Sequence, residues 1–386
     1  MITLRGQASS APTISKKIQN PFPSRGFLTY GSACQDCGFN NQRIDLEYAV
    51  ALAAVLNRTL VVRNVVCSPH HSPCPWANQT KDGIIHILGY ERWRQSCNMP
   101  GLICDKDHYH GKTHSLDARL FFDAEYLNTA TSPRGFIWQD TFEIEYPHLH
   151  MSKSLDDGTD ARSRPWPIIV RRGPTTQAEL DAEVVHASHL HKGHDPSRLL
   201  TTTLASELRK NAKLVRPVLY SASIRSVAQD MVNLLTRTRN DGNFACVHAR
   251  LGDWLDYDRP SLRLSRYWNG HAYATVVRKH IFDHSLPLFV ATNPENYTDL
   301  EEPLGSRFPL LANASAIIQK LKARGIEYSN DFWSCAEQFV CEQAVVFVGT
   351  KGSTVSRYVY ERRSSLGKKS SLLDMHAFAK TPPKSH

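Results

Sequence analysis

Several features are missing from this 386-residue chain, and each absence excludes something. No apolar run approaches the roughly 18 residues that a membrane-spanning helix needs. The opening, Met1-Ile-Thr-Leu-Arg5, does not follow the charged-then-apolar pattern of a secretory leader, and the end, Lys384-Ser-His386, is not an endoplasmic-reticulum retention signal. Blocks of about five or six consecutive basic residues are absent, and no aromatic-basic motif accompanies the surplus charge, so a nucleic-acid partner is not expected. Cys34-Gln-Asp-Cys37 has no second Cys-x-x-Cys to complete a zinc ribbon. Neither a Walker A spacing nor an internal repeat is found.

The residues present point elsewhere. Forty-six Lys and Arg against 37 Asp and Glu leave a net charge of +9. A spread-out surplus of this size suits a phosphorylated small molecule, which needs only a few well-placed cations. Nine cysteines are present, concentrated early (Cys34, Cys37, Cys67, Cys74, Cys97, Cys104) with Cys246, Cys335 and Cys341 later. Disulfides in an oxidising compartment are the expected use, and the odd count leaves at least one thiol free or intermolecular. Asn-x-Ser/Thr triplets at Asn57, Asn78, Asn296 and Asn313 agree with that compartment. Histidines at 108, 110, 114, 186, 189, 191 and 194 lie in polar, loop-like sequence without convincing ligand pairs, so no zinc site is expected.

Periodicity predicts an α/β chain. Residues 1–25 read as a flexible lead-in. Phe27–Tyr30 reads as a strand, 44–56 as a helix whose apolar residues recur at helical spacing, with Asn57 as its C-cap, and Thr59–Val62 as a β-branched strand. The stretch 63–120 reads as irregular and disulfide-tied. Residues 156–174 and 186–196 read as loop-like, with an insertion there and a domain boundary near Val215. Further strands are predicted at 244–248, 288–291, 326–328 and 345–348, and helices at 267–284, 313–324, 331–343 and 353–362. Two Rossmann-like domains, each with a parallel sheet and its own core, are the expected architecture.

Three segments stand at the carboxyl ends of predicted strands, where open α/β sheets bind ligands. Gly38-Phe-Asn-Asn-Gln-Arg43 combines a glycine turn, amide side chains and a helix start; an Asn-capped helix after an ordinary turn explains it equally well. His248-Ala-Arg-Leu-Gly-Asp-Trp254 puts His248 and Arg250 on one face of a strand end, where an arginine can grip a diphosphate. A structural Arg250–Asp253 pair is the alternative there. Phe347-Val-Gly-Thr-Lys-Gly-Ser-Thr-Val-Ser356 offers backbone N–H groups and the Ser353 and Thr354 hydroxyls to a phosphate.

In this order and separation the segments resemble the GDP-fucose O-fucosyltransferase family, most closely its type acting on EGF-like repeats. Asn57-Arg-Thr-Leu-Val-Val62 is similar to the family's first motif, and Leu288-Phe-Val-Ala-Thr-Asn293 to its strand leading to a nucleotide contact. The resemblance runs over roughly 27–363 and is thin from about 70 to 215. It implies a GT-B fold, two facing Rossmann-like domains with the donor site in the cleft: an acceptor-side domain over 26–215 and a GDP-sugar-binding domain over 216–386. It also implies an inverting reaction with GDP-fucose as donor, no metal or other cofactor, a protein acceptor among small disulfide-rich domains, and the lumen of the endoplasmic reticulum or Golgi. Carried over by position, Arg250 and Asn41 would be catalytic, Arg250 on the β-phosphate and glycosidic oxygen and Asn41 (or Asn40) near the reacting hydroxyl. Gly38, Phe39, Asn40, His248, Asp253, Thr292, Ser353, Thr354 and Val355 would hold GDP-fucose.

There are departures from the pattern. Cys37 stands where relatives that modify TSR domains carry a glutamate, Val345 where an acidic residue is frequent, and Val355 where phenylalanine is common. A glycan-directed, α-1,6-type fucosyltransferase and a sugar-binding protein of the same fold without activity are the competing readings.

Overall fold

The computed structural model describes residues 26–31, 39–66, 77–79, 85–87, 102–103, 115–131, 134–146, 168–170, 184–188, 217–237, 241–250, 270–292, 294–308, 310–325 and 328–374. β1 (Phe27–Gly31), α1 (Phe39–Leu56) and β2 (Thr59–Val62) open the first unit. Short strands β3 (Val65–Val66), β4 (Ala77–Gln79), β5 (Ile85–Ile87), β6 (Leu102–Ile103) and β7 (Ser115–Leu116) form two small antiparallel sheets. Then come α2 (Ala124–Ala130), β8 (Phe136–Trp138), α3 (Gln139–Glu145), β9 (Ile168–Val170) and β10 (Val184–Ser188). The main sheet of this half is parallel, in the order β8-β2-β1-β10-β9. Ile168–Val170 and Val184–Ser188 therefore belong to the sheet rather than to loops as the polar sequence around them suggests.

The second unit holds α4 (Ala222–Leu235), β11 (Ala245–His248), α5 (Gly270–His280), β12 (Leu288–Ala291), α6 (Pro294–Gly305), β13 (Leu311–Asn313), α7 (Ala314–Lys322), α8 (Asn330–Gln343), β14 (Val346–Thr350), α9 (Thr354–Ser365) and β15 (Ser370–Leu373). Its five strands are also parallel, ordered β13-β12-β11-β14-β15. The chain runs outward from β11 to β13, then returns to β14 on the other side of β11. That reversal is a topological switch point, the place where ligands bind in sheets of this kind. The two parallel α/β sheets are the arrangement expected of a GT-B glycosyltransferase. Of the strand expected at 326–328, only Tyr328 lies within the described residues, and it is not in a strand.

Burial follows the pleat. Along β11 and β12, Cys246, Phe289 and Ala291 face one apolar cluster, with α4 and α8, while Ala245, Val247, Leu288 and Val290 face another, with α5 and α6. The first cluster does not stop at the expected domain boundary. It runs from Leu28 and α1 through Phe121, Phe122 and Tyr220 to Phe332 and Tyr358. Helix α1 makes this continuity, because nearly all its side chains are buried and Ala49, Ala51 and Ala53 let neighbours approach closely.

Helix α1 begins at Phe39, earlier than the sequence pattern suggests, so Asn40 and Asn41 sit in its first turn. Its end is fixed by Asn57 at φ 52°, whose N–H donates to the Ala54 carbonyl while the Arg58 N–H donates to that of Ala53. This is a left-handed helix stop. The buried Arg58 then donates from Nη1 to the Phe27 carbonyl, tying α1 to β1. Asn313 likewise caps α7 through its side chain. Two of the Asn-x-Ser/Thr triplets thus have structural reasons of their own. In the last turn of α9, buried Arg363 donates to the carbonyls of Cys341, Glu342, Ala344, Val345 and Lys369, joining the end of α8 to α9 and β15. A Cys246–Cys341 disulfide links β11 to α8, and Cys335 is a buried free thiol.

Candidate active site

Chemistry-bearing groups collect at the carboxyl edge of the second sheet, between the ends of β11, β12 and β14. The strand alternation that puts Cys246 on the α8 side puts His248 there as well, against α9. His248 Nδ1 lies 2.6 Å from Ser356 Oγ. Ser356 Oγ also accepts the Thr350 N–H at 2.8 Å. The Thr350 hydroxyl donates to the His248 carbonyl and accepts the Arg250 N–H, each at 3.1 Å. On the other flank, the Thr292 hydroxyl donates to the Ala249 carbonyl at 2.8 Å. These contacts pin the backbone from His248 to Arg250 between its neighbouring strands.

The approach of α9 to β14 requires Gly349. A Cβ there would fall 2.8 Å from the Phe347 ring and from Ser356 Cβ and Oγ. Gly352, at φ 86°, makes the turn into the helix in a conformation that disfavours other residues. Ser353 then caps α9, its hydroxyl accepting the Ser356 N–H. The N–H groups of Thr354 and Val355 have no intrahelical acceptor and suit an anion.

Helix α1 brings a second helix N-terminus to the same place. Buried Arg43 donates from Nη2 to the Thr354 carbonyl at 3.3 Å, and its guanidinium lies 4.4 Å from the Tyr358 ring centroid. It is paired with Glu47, which also accepts the Val218 N–H at 3.1 Å. Burial pulls the Arg43 pKa down, but Glu47 together with the Tyr220 and Tyr358 hydroxyls more than offsets it, and the guanidinium stays charged. On its own helix, Arg43 Nε donates to Asn40 Oδ1 at 3.4 Å. Asn40 and Asn41 are only partly buried, beside the first turn of α9.

Electrostatically the site is one-sided. Burial, with the Arg250 charge adding to it, pushes the His248 pKa down to about 3, so its ring is neutral at ordinary pH. Arg250 and the two helix starts carry the positive potential. A neutral donor ring, a half-buried guanidinium and free helix N–H groups together fit a polyanion such as a diphosphate.

The structure brings Asn40, Asn41, His248, Arg250, Thr292, Ser353, Thr354 and Val355 into this region. Gly38 and Asp253 lie outside the described residues, as do Cys37 and the histidines at 108–114. Phe39, expected among the ligand contacts, has its ring in the core. Its side chain is buried against Phe121 and Phe122, with ring centroids 4.9 Å and 5.9 Å away, because the first turn of α1 docks on the core. Sequence reasoning gave no role to Ser356, Thr350, Arg43 or Tyr358, all joined by contacts between distant elements. For Arg43, Thr350 and Ser356 the only local signal was membership of the two glycine-containing segments, and Tyr358 lies outside both. No group of three or more His, Cys, Asp or Glu able to hold a metal is found among the described residues. Nor is any helix among them long and apolar enough to cross a membrane.

Comparison with known proteins gives the chemistry a family. Among solved structures, the chain is similar to POFUT1 in complex with GDP, at 14% identity over 90% of this chain and 98% of the other, with a TM-score of 0.49. It is also similar to NodZ alpha-1,6-fucosyltransferase soaked with GDP-fucose, at 12% identity over 87% and 91% of the two chains and a TM-score of 0.36. A third is an Arabidopsis thaliana FUT1 mutant in complex with GDP, at 9% identity over 88% and 68% and a TM-score of 0.44. No curated protein sequence matches. Likenesses this distant leave the assignment to the family model for GDP-fucose protein O-fucosyltransferase, which matches residues 102–366. With well over half its length matched, the chain belongs to the GDP-fucose protein O-fucosyltransferase family and is a GDP-fucose-dependent fucosyltransferase.

Proposed function

We propose that the protein is an inverting O-fucosyltransferase that moves fucose from GDP-fucose to a Ser or Thr hydroxyl of a protein acceptor. The observation that carries this reading is the meeting of Arg250 and the α9 N-terminus with the first turn of α1, in a chain matched to this family. Residues 216–386 would bind the GDP-sugar and 26–215 would face the acceptor. The acceptor oxygen would attack C1 of fucose from the side opposite the nucleotide. The bond from C1 to the β-phosphate oxygen breaks, and GDP departs with the electron pair. Arg250 and the Thr354 and Val355 N–H groups stabilise the negative charge that develops there. Asn41, or its neighbour Asn40, orients the acceptor hydroxyl, whose proton leaves to the diphosphate or to solvent. His248, Thr292 and Ser353 help hold the nucleotide, and Gly38 and Asp253 complete its site by resemblance. The step as written requires no metal or carboxylate base, so Cys37 does not obstruct it. Family membership and the disulfide favour work in the lumen of the secretory pathway.

An acceptor array tests the finer part of this reading. Folded EGF-like domains, TSR domains and oligosaccharides are incubated with the enzyme and GDP-fucose and weighed by mass spectrometry. A fucose mass on a Ser or Thr of a folded domain supports protein O-fucosylation. Transfer to oligosaccharides alone overturns the protein acceptor and favours a glycan-directed enzyme.

A further inference from the structure

Ser356 has a hydroxyl whose single hydrogen can go to only one place. Its Oγ accepts the Thr350 amide N–H at 2.8 Å, a contact whose direction is fixed because an amide nitrogen only donates. Its other polar neighbour is His248 Nδ1 at 2.6 Å. Ser356 is fully buried, so no solvent can take the hydrogen instead. If Nδ1 carried a proton, the Ser356 hydrogen would be buried without an acceptor, at a cost a native fold avoids. The hydroxyl therefore donates to Nδ1, and the ring proton sits on Nε2. Nε2 is not among the described buried polar atoms left without a partner.

We propose that Ser356 is a positioning residue: it fixes His248 as the neutral Nε2–H tautomer, which presents a hydrogen-bond donor to an oxygen of the nucleoside diphosphate. The ligand part of this statement rests on the donor site described above; the tautomer part stands without it. The arrangement gives the site an uncharged donor close to Arg250, where a second cation would be repelled. It also explains why Gly349 must lack a side chain. A Cβ there would displace Ser356 Oγ, and with it the lock on the ring.

Long-range proton–nitrogen NMR on protein labelled at histidine nitrogens tests the tautomer directly. The His248 signals are identified by their loss in His248→Gln. The expected result is a bare, imine-type Nδ1 and a protonated Nε2 in the ligand-free enzyme; a protonated Nδ1 overturns the proposal. Ser356→Ala, if it folds, should release the ring into a mixture of tautomers, and an unchanged spectrum there also overturns it. Calorimetry with GDP tests the ligand part, because a glutamine amide stands near the Nε2 position and an asparagine amide near Nδ1. His248→Asn should lose about tenfold more affinity than His248→Gln. Equal losses or the reverse order overturn the assigned donor. If wild-type protein with the expected tautomer fails to bind GDP, the nucleotide reading fails and the Ser356–His248 lock survives.

Discussion

Arg43 and Thr354 are 311 positions apart, yet the Arg43 guanidinium donates to the Thr354 carbonyl at 3.3 Å. This contact joins the first turn of α1 to the first turn of α9 and so sets the distance between the asparagines on one side and the anion-binding N–H groups on the other. Glu47, Tyr358 and Val218 complete the junction, with the Tyr358 hydroxyl donating to the Val218 carbonyl at 3.0 Å.

Removing Arg43 should therefore be severe. Arg43→Met leaves the buried Glu47 carboxylate without its partner, a change that ordinarily costs about 3–5 kcal/mol. Urea unfolding at neutral pH measures it. A loss under about 1 kcal/mol would show that the pair is not buried as described.

The Cys246–Cys341 disulfide closes a loop of sequence separation 95 and is buried with its strand and helix. Its removal in a Cys246→Ser, Cys341→Ser double variant should destabilise the protein by about 2–5 kcal/mol. Thermal unfolding of the variant beside the oxidised wild type checks this. Equal midpoints would contradict a native crosslink here.

Much of this architecture was legible from local pattern. Thr59–Val62 and Leu288–Ala291 are short β-branched or apolar runs whose length and flanks leave little choice, and α1 declares itself by helical spacing. Strands β9 and β10 were not legible, because brief apolar runs inside polar sequence become strands only when a neighbour is there to pair with them, β1 for β10 and β10 for β9. Pro303 hid α6, since a proline inside a helix removes a backbone hydrogen bond and reads as a break. At the site, Arg250 and the glycine turn could be read locally. Ser356 and Arg43 could not, because their partners His248 and Thr354 come from elements far away in sequence.

The depressed His248 pKa makes stability depend on acid. The unfolded ring titrates near 6.5 and the folded ring near 3. Between those values only the unfolded state binds the proton, so stability is full above pH 6.5 and declines as pH falls toward 3. His248 should account for a loss of about 2 kcal/mol between pH 6.5 and pH 5. Chemical denaturation at the two pH values, in wild type and His248→Gln, should show that part missing in the variant. The same slope in both would contradict a buried neutral ring.

Gly349→Ala tests the close approach of α9 to β14. The added methyl meets the Phe347 ring and Ser356, and overpacking of this kind costs about 1–3 kcal/mol. Stability should fall by that amount, and GDP affinity should fall with it because Ser356 is displaced from His248. A variant with wild-type stability and affinity would show that the contact is looser than described.

Titration of GDP-fucose into the wild type and Arg250→Ala by calorimetry, with a chelator present, is the most direct test of the central claim. The account predicts micromolar binding to the wild type and a loss of at least about tenfold in the variant, which removes the guanidinium proposed to hold the departing diphosphate. A folded wild-type protein that does not bind GDP-fucose, or a variant that binds it equally well, would contradict the donor site described above.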